Sequence, residues 1–520
     1  MASAPRASIV FALALGAASP ARAVDTAPIE RGTAIIDPAA LRELDHGRFG
    51  LARIMAPGRA GDTPLDDREL FALSSMLPVS RALDDDFERY IVKHEAELPN
   101  ESIGVGPGFA FQLFDRAQLH SPEVRFVLSG IVNRMDRAYV LDKSCGEIRL
   151  IYRLTETNAK AIGEAAVTPR LPMTLNVVLK AKGESGDGKM LTCAEIARRW
   201  LNAGKLGATG AALADQLTAP GGALASLGSE NLDRIETNLQ IAHAPKSATQ
   251  HFRTDYLMKV FNYDEAAGVF AEAPMEDQID RDRLLADADL ARDFRAFILD
   301  PVHFAELDRG TLVIPDRFLL RSAIAPTPTG FAPSELQPAF GLVAGEDSAG
   351  RAVFSKEDIV VALVREAVLD TNLQNIKSVD GFERRLNDIT CTGCHQTRGI
   401  GGFHFPGVDW MAAKPSNSTV VPASPHFFGD QIRRRDILTA FADGKAPDFS
   451  RGFSSRPQVR GSTELAGTEY QDGWGAHCYV SHENASENDK SFQGWTCAAG
   501  LTCQAVSPAT RMGMCFVTTR

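Results

Sequence analysis

From position 146 to 154 apolar and charged residues alternate. Ile148, Leu150, Tyr152 and Leu154 fall on one side, with Glu147, Arg149 and Arg153 on the other. A period of two turns successive side chains to opposite faces, so the stretch predicts a half-buried strand. Residues 173–179 and 255–261 carry a similar signature. Between them the period becomes helical. Thr192 and Glu195 form a capping box, and Ile196 and Trp200 follow four apart. A second helix is expected over 279–299. Strand and helix signals thus mix from 24 to 323, an α+β (α/β-mixed) block. Four prolines within 324–338 break both periods and predict a linker.

Beyond the linker, residues 339–452 read as mainly helical. Ser355 caps a helix with Asp358 three residues on, and Ile359, Leu363, Ala367 and neighbouring valines make its apolar face. A shorter helix follows, with Phe382, Leu386 and Ile389 at i, i+4 and i+7. The last segment, 468–520, holds Cys478, Cys497, Cys503 and Cys515 and has too little apolar content for a core of its own. It is expected to be a small module held by disulfides, whose connectivity has three possibilities. The expectation is an α+β multi-domain chain: a mixed N-terminal block, a mainly helical domain and a small disulfide-rich C-terminal module.

Composition narrows the function. The chain has 520 residues, 44% of them hydrophobic, and a net charge of −11. The acidic balance argues against nucleic acid as the main partner, since phosphate neutralisation needs clustered Lys and Arg. Arg6, the apolar run 7–19 and the small-x-small triplet Ala21-Arg22-Ala23 predict a signal peptide over 1–23. The run is short for a bilayer span, and no other stretch is long enough for one. A periplasmic or secreted location follows as an expectation. Cys145 and Cys193 are the two cysteines of the first block and are expected to pair; two separate buried thiols are the alternative.

The sharpest local signal is Cys391-Thr392-Gly393-Cys394-His395. With 8 cysteines and 11 histidines in 520 residues, C-x-x-C-H arises by chance in roughly three such chains per thousand. Three chemistries use it. A redox dithiol calls for a preceding strand, whereas here a helix precedes. A zinc corner calls for two further ligands at close spacing, for which His404 and His426 are available. A covalent haem needs only what is present: two thiols for the two vinyl groups and an imidazole for the iron.

The segment resembles the haem-attachment site of c-type cytochromes, over these five residues and the helix before them. The resemblance implies one covalent haem c, with Cys391 and Cys394 forming the thioethers and His395 as axial iron ligand. The small cytochromes usually supply a methionine well beyond the motif as sixth ligand. Here Met411 lies only 16 residues on, and His426, then His404, compete ahead of it. A bis-histidine iron sits at lower potential than a His/Met one. "IRRRD" at 432–436 reads as a solvated helix face, with a propionate clamp as the alternative.

The expected function is one-electron transfer by an exported single-haem protein, with a redox partner protein or a small-molecule donor or acceptor. Two alternatives stay open: a haem oxidase or peroxidase with an open sixth position, and an extracellular interaction protein carrying a haem.

Overall fold

The computed structural model describes residues 32–59, 63–103, 119–140, 144–157, 170–184, 188–247, 253–326, 342–343, 352–390, 407–408, 410–411, 430–451, 477–480, 496–497, 501–504 and 512–517. In chain order the elements begin with β1 (Ala34–Ile35), α1 (Pro38–His46), α2 (Leu51–Met55), α3 (Asp67–Ala72), α4 (Leu77–Glu97), β2 (Glu101–Ile103) and β3 (Val124–Arg134). There follow β4 (Glu147–Glu156), β5 (Arg170–Lys180), α5 (Cys193–Ala203), α6 (Gly210–Thr218), β6 (Leu232–Pro245), β7 (Arg253–Asp264) and β8 (Val269–Ala273). Then come α7 (Arg281–Ala286), α8 (Ala288–Ile298), α9 (Pro301–Arg309), β9 (Ser322–Pro326), α10 (Lys356–Val368), α11 (Val379–Ile389) and α12 (Gln431–Ala442). The last three are β10 (His477–Tyr479), β11 (Leu501–Gln504) and β12 (Met512–Val517).

The centre of the molecule is a nine-stranded sheet in the order β1-β3-β4-β5-β6-β7-β8, with β2 also on β6 and β9 also on β7. Every pairing between these strands is antiparallel. One face is apolar: Ile148, Leu150, Tyr152, Leu175, Val177, Leu239 and Leu257 are buried beneath residues of α1 to α6. Trp200 of α5 is fully buried there, its helix started by the expected Thr192–Glu195 capping box. The other face of β4 is charged, yet it is not solvated. Glu147 is 0% exposed, Arg149 8% and Arg153 5%.

A second core gathers the helices. Phe294 and Ile298 of α8, Phe304 and Leu307 of α9, Ile359 and Ala362 of α10, and Phe382 and Leu386 of α11 are buried together. The expected mainly helical haem domain is therefore not what the described residues form. The architecture is an antiparallel sheet with packed helices, and the helices of 339–452 divide between two cores. The cause lies in which apolar surfaces meet. Phe382 of α11 stacks on Phe304 of α9 and meets Phe354 edge-on. Leu438 of α12 instead joins the sheet core, and α12 lies along α5.

Two further expectations are revised. The helix expected over 279–299 is two helices, because Asp287 leaves the helical conformation and its carboxylate caps the second by accepting from Asp289 and Leu290 N–H. The Ser355–Asp358 capping box of α10 forms as expected, but the valines beside it do not join the core. Val361 is 69% exposed and Val368 80%. Beyond Ser322–Pro326, which pairs with β7, the Pro-rich stretch lies outside the described residues, as does the expected signal peptide. Among the described residues no helix is long and apolar enough to cross a membrane.

Cys145 and Cys193 form a disulfide with Cα atoms 5.2 Å apart. It ties the approach to β4 to the first turn of α5. Near the C-terminus β10, β12 and β11 make a small antiparallel sheet, crossed by a Cys478–Cys503 disulfide. Removing the first bridge as Cys145→Ala/Cys193→Ala is expected to lower stability by about 4 kcal/mol, the loop-closure entropy of a span this long. Urea unfolding monitored by Trp fluorescence checks this; a midpoint equal to the parent's contradicts it.

Candidate functional site

Cys391, Cys394, His395, His404 and His426 lie outside the described residues; what the structure describes are the flanks of this segment. α11 presents Phe382, Leu386 and Ile389 to the second core, all buried. The chain before it is held by one carboxylate. Asp308 of α9 accepts from the backbone N–H of Gln374, Asn375 and Ile376 at 2.7–2.8 Å, and it is 2% exposed. Three donors to one carboxylate fix the start of α11 and hence the direction in which the chain reaches Cys391.

The chain resumes on the sheet. Val408 N–H donates to Ser129 C=O at 2.7 Å, and a Cβ at Gly407 would come within 2.8 Å of Arg153 Nε. A larger residue there would have to push that guanidinium aside. Trp410 Nε1 donates to Leu128 C=O at 2.8 Å, and its ring meets His46 edge-on. Met411, the third choice for sixth ligand, follows it and is half-buried. The chain thus reaches residue 390 from the helical core and at 407 lies over the β3–β4 end of the sheet.

That end carries two neighbouring ionic groups. Glu147 accepts from Arg137 and Arg149 at 3.1 Å and from Arg234 at 2.8 Å. Glu236 joins Arg149 at 2.7 Å and Arg234 at 3.0 Å. Asp136 joins Arg134 at 2.9 Å and Arg433 of α12 at 3.0 Å. Burial by itself would push the Glu147 carboxyl up; the guanidiniums of Arg137, Arg234 and Arg149 outweigh it and hold the group well below the usual carboxylate range. Asp136 is likewise held well below it by Arg134, Arg434 and Arg433 against its burial. Of the basic run 432–436, Arg433 and Arg434 are committed to Asp430 at 2.6 and 2.8 Å. Only Arg435 and Asp436 match a solvated face, at 44% and 69% side-chain exposure.

A second cluster was invisible in the sequence. Tyr90 and His94 stand four apart on α4. Glu101 on β2, His243 on β6 and Asp255 on β7 face them from three neighbouring strands. His243 Nδ1 lies 2.5 Å from Glu101 Oε2, and its Nε2 lies 3.2 Å from Asp255 Oδ2. Tyr90 O–H donates to Asp255 Oδ2 at 2.9 Å. The His94 ring meets His243 edge-on at 5.2 Å. Burial lowers the pKa of both imidazoles, but Asp255 and Glu101 overturn this at His243 and raise it, while His94 stays lowered, with the His243 charge adding to its burial. These residues lie up to 165 positions apart, so no local spacing announces them. The sulfurs of Cys478, Cys497 and Cys503 also lie together, but all three are in disulfides and are not available to a metal.

Compared with protein-family models, curated proteins and solved structures, the chain matches none of them.

Glu147→Gln is expected to cost about 3–5 kcal/mol at neutral pH, because three buried guanidiniums lose their shared counter-charge. The sign with pH follows from a depressed folded pKa. The Glu147 contribution is complete above the ordinary value of 4.5 and is lost as pH falls through the folded value. Urea midpoints taken across the acid range should therefore show the gap between parent and variant closing on acidification. A gap that stays constant contradicts the assignment.

Proposed function

We propose that this chain is an exported single-haem protein similar to c-type cytochromes, passing one electron at a time between a redox partner and the haem iron. The observation that carries the reading is Cys391-Thr392-Gly393-Cys394-His395. Cys391 and Cys394 would hold the haem by thioethers and His395 would ligate the iron, with His426 as sixth ligand ahead of His404 and Met411. When bound, haem c supplies a one-electron couple and no substrate chemistry of its own is required. The chain's own contribution is to hold the flanks. Asp308 and the Phe304–Phe382 stack steady the approach, and Val408 on Ser129 steadies the return.

The disulfides support an oxidising compartment, and covalent haem attachment belongs outside the bacterial cytoplasm. A periplasmic or secreted location is part of the proposal, as is a partner that is either a redox protein or a small-molecule donor or acceptor.

Expression with cytochrome c maturation machinery should give a coloured protein whose pyridine haemochrome reports one haem c per chain. Cys391→Ser/Cys394→Ser should be colourless while keeping the parent far-UV circular dichroism. The parent should be low-spin and indifferent to carbon monoxide. His426→Ala should become high-spin and bind it, with Met411→Ala unchanged. A colourless parent overturns the proposal. A parent that binds carbon monoxide overturns electron transfer in favour of an open-site oxidase or peroxidase.

A further inference from the structure

We propose that His94, Glu101 and His243 form a binding site for one divalent transition cation of the zinc class, separate from the haem segment. One ligand atom from each lies within 4.8 Å of the others. Zinc bonds of about 2.0–2.2 Å to nitrogen and oxygen place tetrahedral ligands roughly 3.3 Å apart, so Glu101 and His243 would open from 2.5 Å to admit the cation. Two imidazoles and one carboxylate are a borderline-soft set that favours zinc over magnesium or calcium.

Two observations raise the cluster above a chance meeting of charges. The first is His94. It is 2% exposed, and its Nε2 is buried with no hydrogen-bond partner among the described residues. A buried polar atom left without a partner costs about 1–3 kcal/mol, and a metal bond removes that cost. The second is the arrangement behind His243. Its Nε2 faces Asp255 at 3.2 Å, and Asp255 accepts in turn from Tyr90 at 2.9 Å. A metal-bound histidine characteristically donates its other ring N–H to a carboxylate, which fixes the ring and raises its basicity. Asp255 and Tyr90 therefore orient His243 with Nδ1 toward Glu101, 2.5 Å away. The proton shared between those two atoms stands where a cation would bind, and binding expels it.

The fold explains why a metal at this place matters. β2 is a strand of only three residues, Glu101–Ile103, paired along the end of β6. Glu101 follows α4 closely, and His94 lies in that helix's last turn. A cation held by all three would tie helix, short strand and sheet together.

The test uses the full mature chain, with haem measured separately by pyridine haemochrome so that iron and zinc are not confused. Chelator-treated protein is titrated with zinc chloride by isothermal calorimetry, and bound zinc is counted by mass spectrometry. Cobalt(II) serves as a spectroscopic probe. One zinc per chain is expected, with a rise in melting temperature on loading and a tetrahedral cobalt spectrum. His94→Gln should weaken zinc by at least 100-fold, and Asp255→Asn by roughly 10–100-fold as an outer partner of a ligand. Among the described residues His94 Nε2 has no hydrogen-bond partner, so His94→Gln is expected to keep the parent circular dichroism. If it does not, Glu101→Gln gives the same reading. Absence of zinc uptake by the parent overturns the site, and so does uptake undiminished in the folded His94 or Glu101 variant. Haem content should be equal in parent and variants, which keeps this result independent of the haem proposal.

Discussion

A carboxylate held among three guanidiniums, Glu147 with Arg137, Arg149 and Arg234, is the interaction on which the sheet's second face depends. The strands here alternate apolar and charged residues, and in an ordinary two-layer protein the charged side would meet water. In this chain it is covered. A covered charge is tolerated only where an opposite charge and directed hydrogen bonds replace its hydration. Removing any one member strands the others. The network is consequently a condition for covering this face, and beside it a separate pair, Asp136 with Arg433, ties α12 to the chain after β3.

The apolar surfaces settle the remaining geometry. Two cores share the helices, one under the sheet and one around Phe294, Phe304, Phe354 and Phe382. Ile389, just before the C-x-x-C-H segment, belongs to one core, and Val408, after it, belongs to the other. Both flanks are pinned by backbone hydrogen bonds, to Asp308 on one side and to Ser129 on the other.

What the sequence revealed was local. The Thr192–Glu195 and Ser355–Asp358 boxes needed only four consecutive positions, and both formed. The alternation in β4 gave the strand correctly, because period two survives whichever way the second face turns. It did not reveal that this face is buried, since that depends on Glu236, Arg234 and α12, far along the chain. The apolar spacing of α11 was right about which residues face inward, while the valines of α10 were read as core and stand exposed. Periodicity says which side of a helix is apolar, not how much of that side finds a partner. Asp287 interrupts an otherwise good helical pattern by offering its own carboxylate as a cap. The His94–Glu101–His243 group has no local signature, because two strands and a helix must come together before its members meet. The C-x-x-C-H motif is the opposite case: the chemistry proposed for it is contained in five adjacent letters.

The bridge between Cys145 and Cys193 has one more consequence. It closes a covalent ring that contains β4 and β5 in full. A protease that cuts the main chain anywhere inside that ring does not divide the molecule. The halves stay joined through sulfur, and the strands on either side of the cut keep their neighbours in the sheet. In a compartment shared with degradative enzymes, a nicked chain of this kind persists as one particle, and only reduction of the bridge would let its pieces separate.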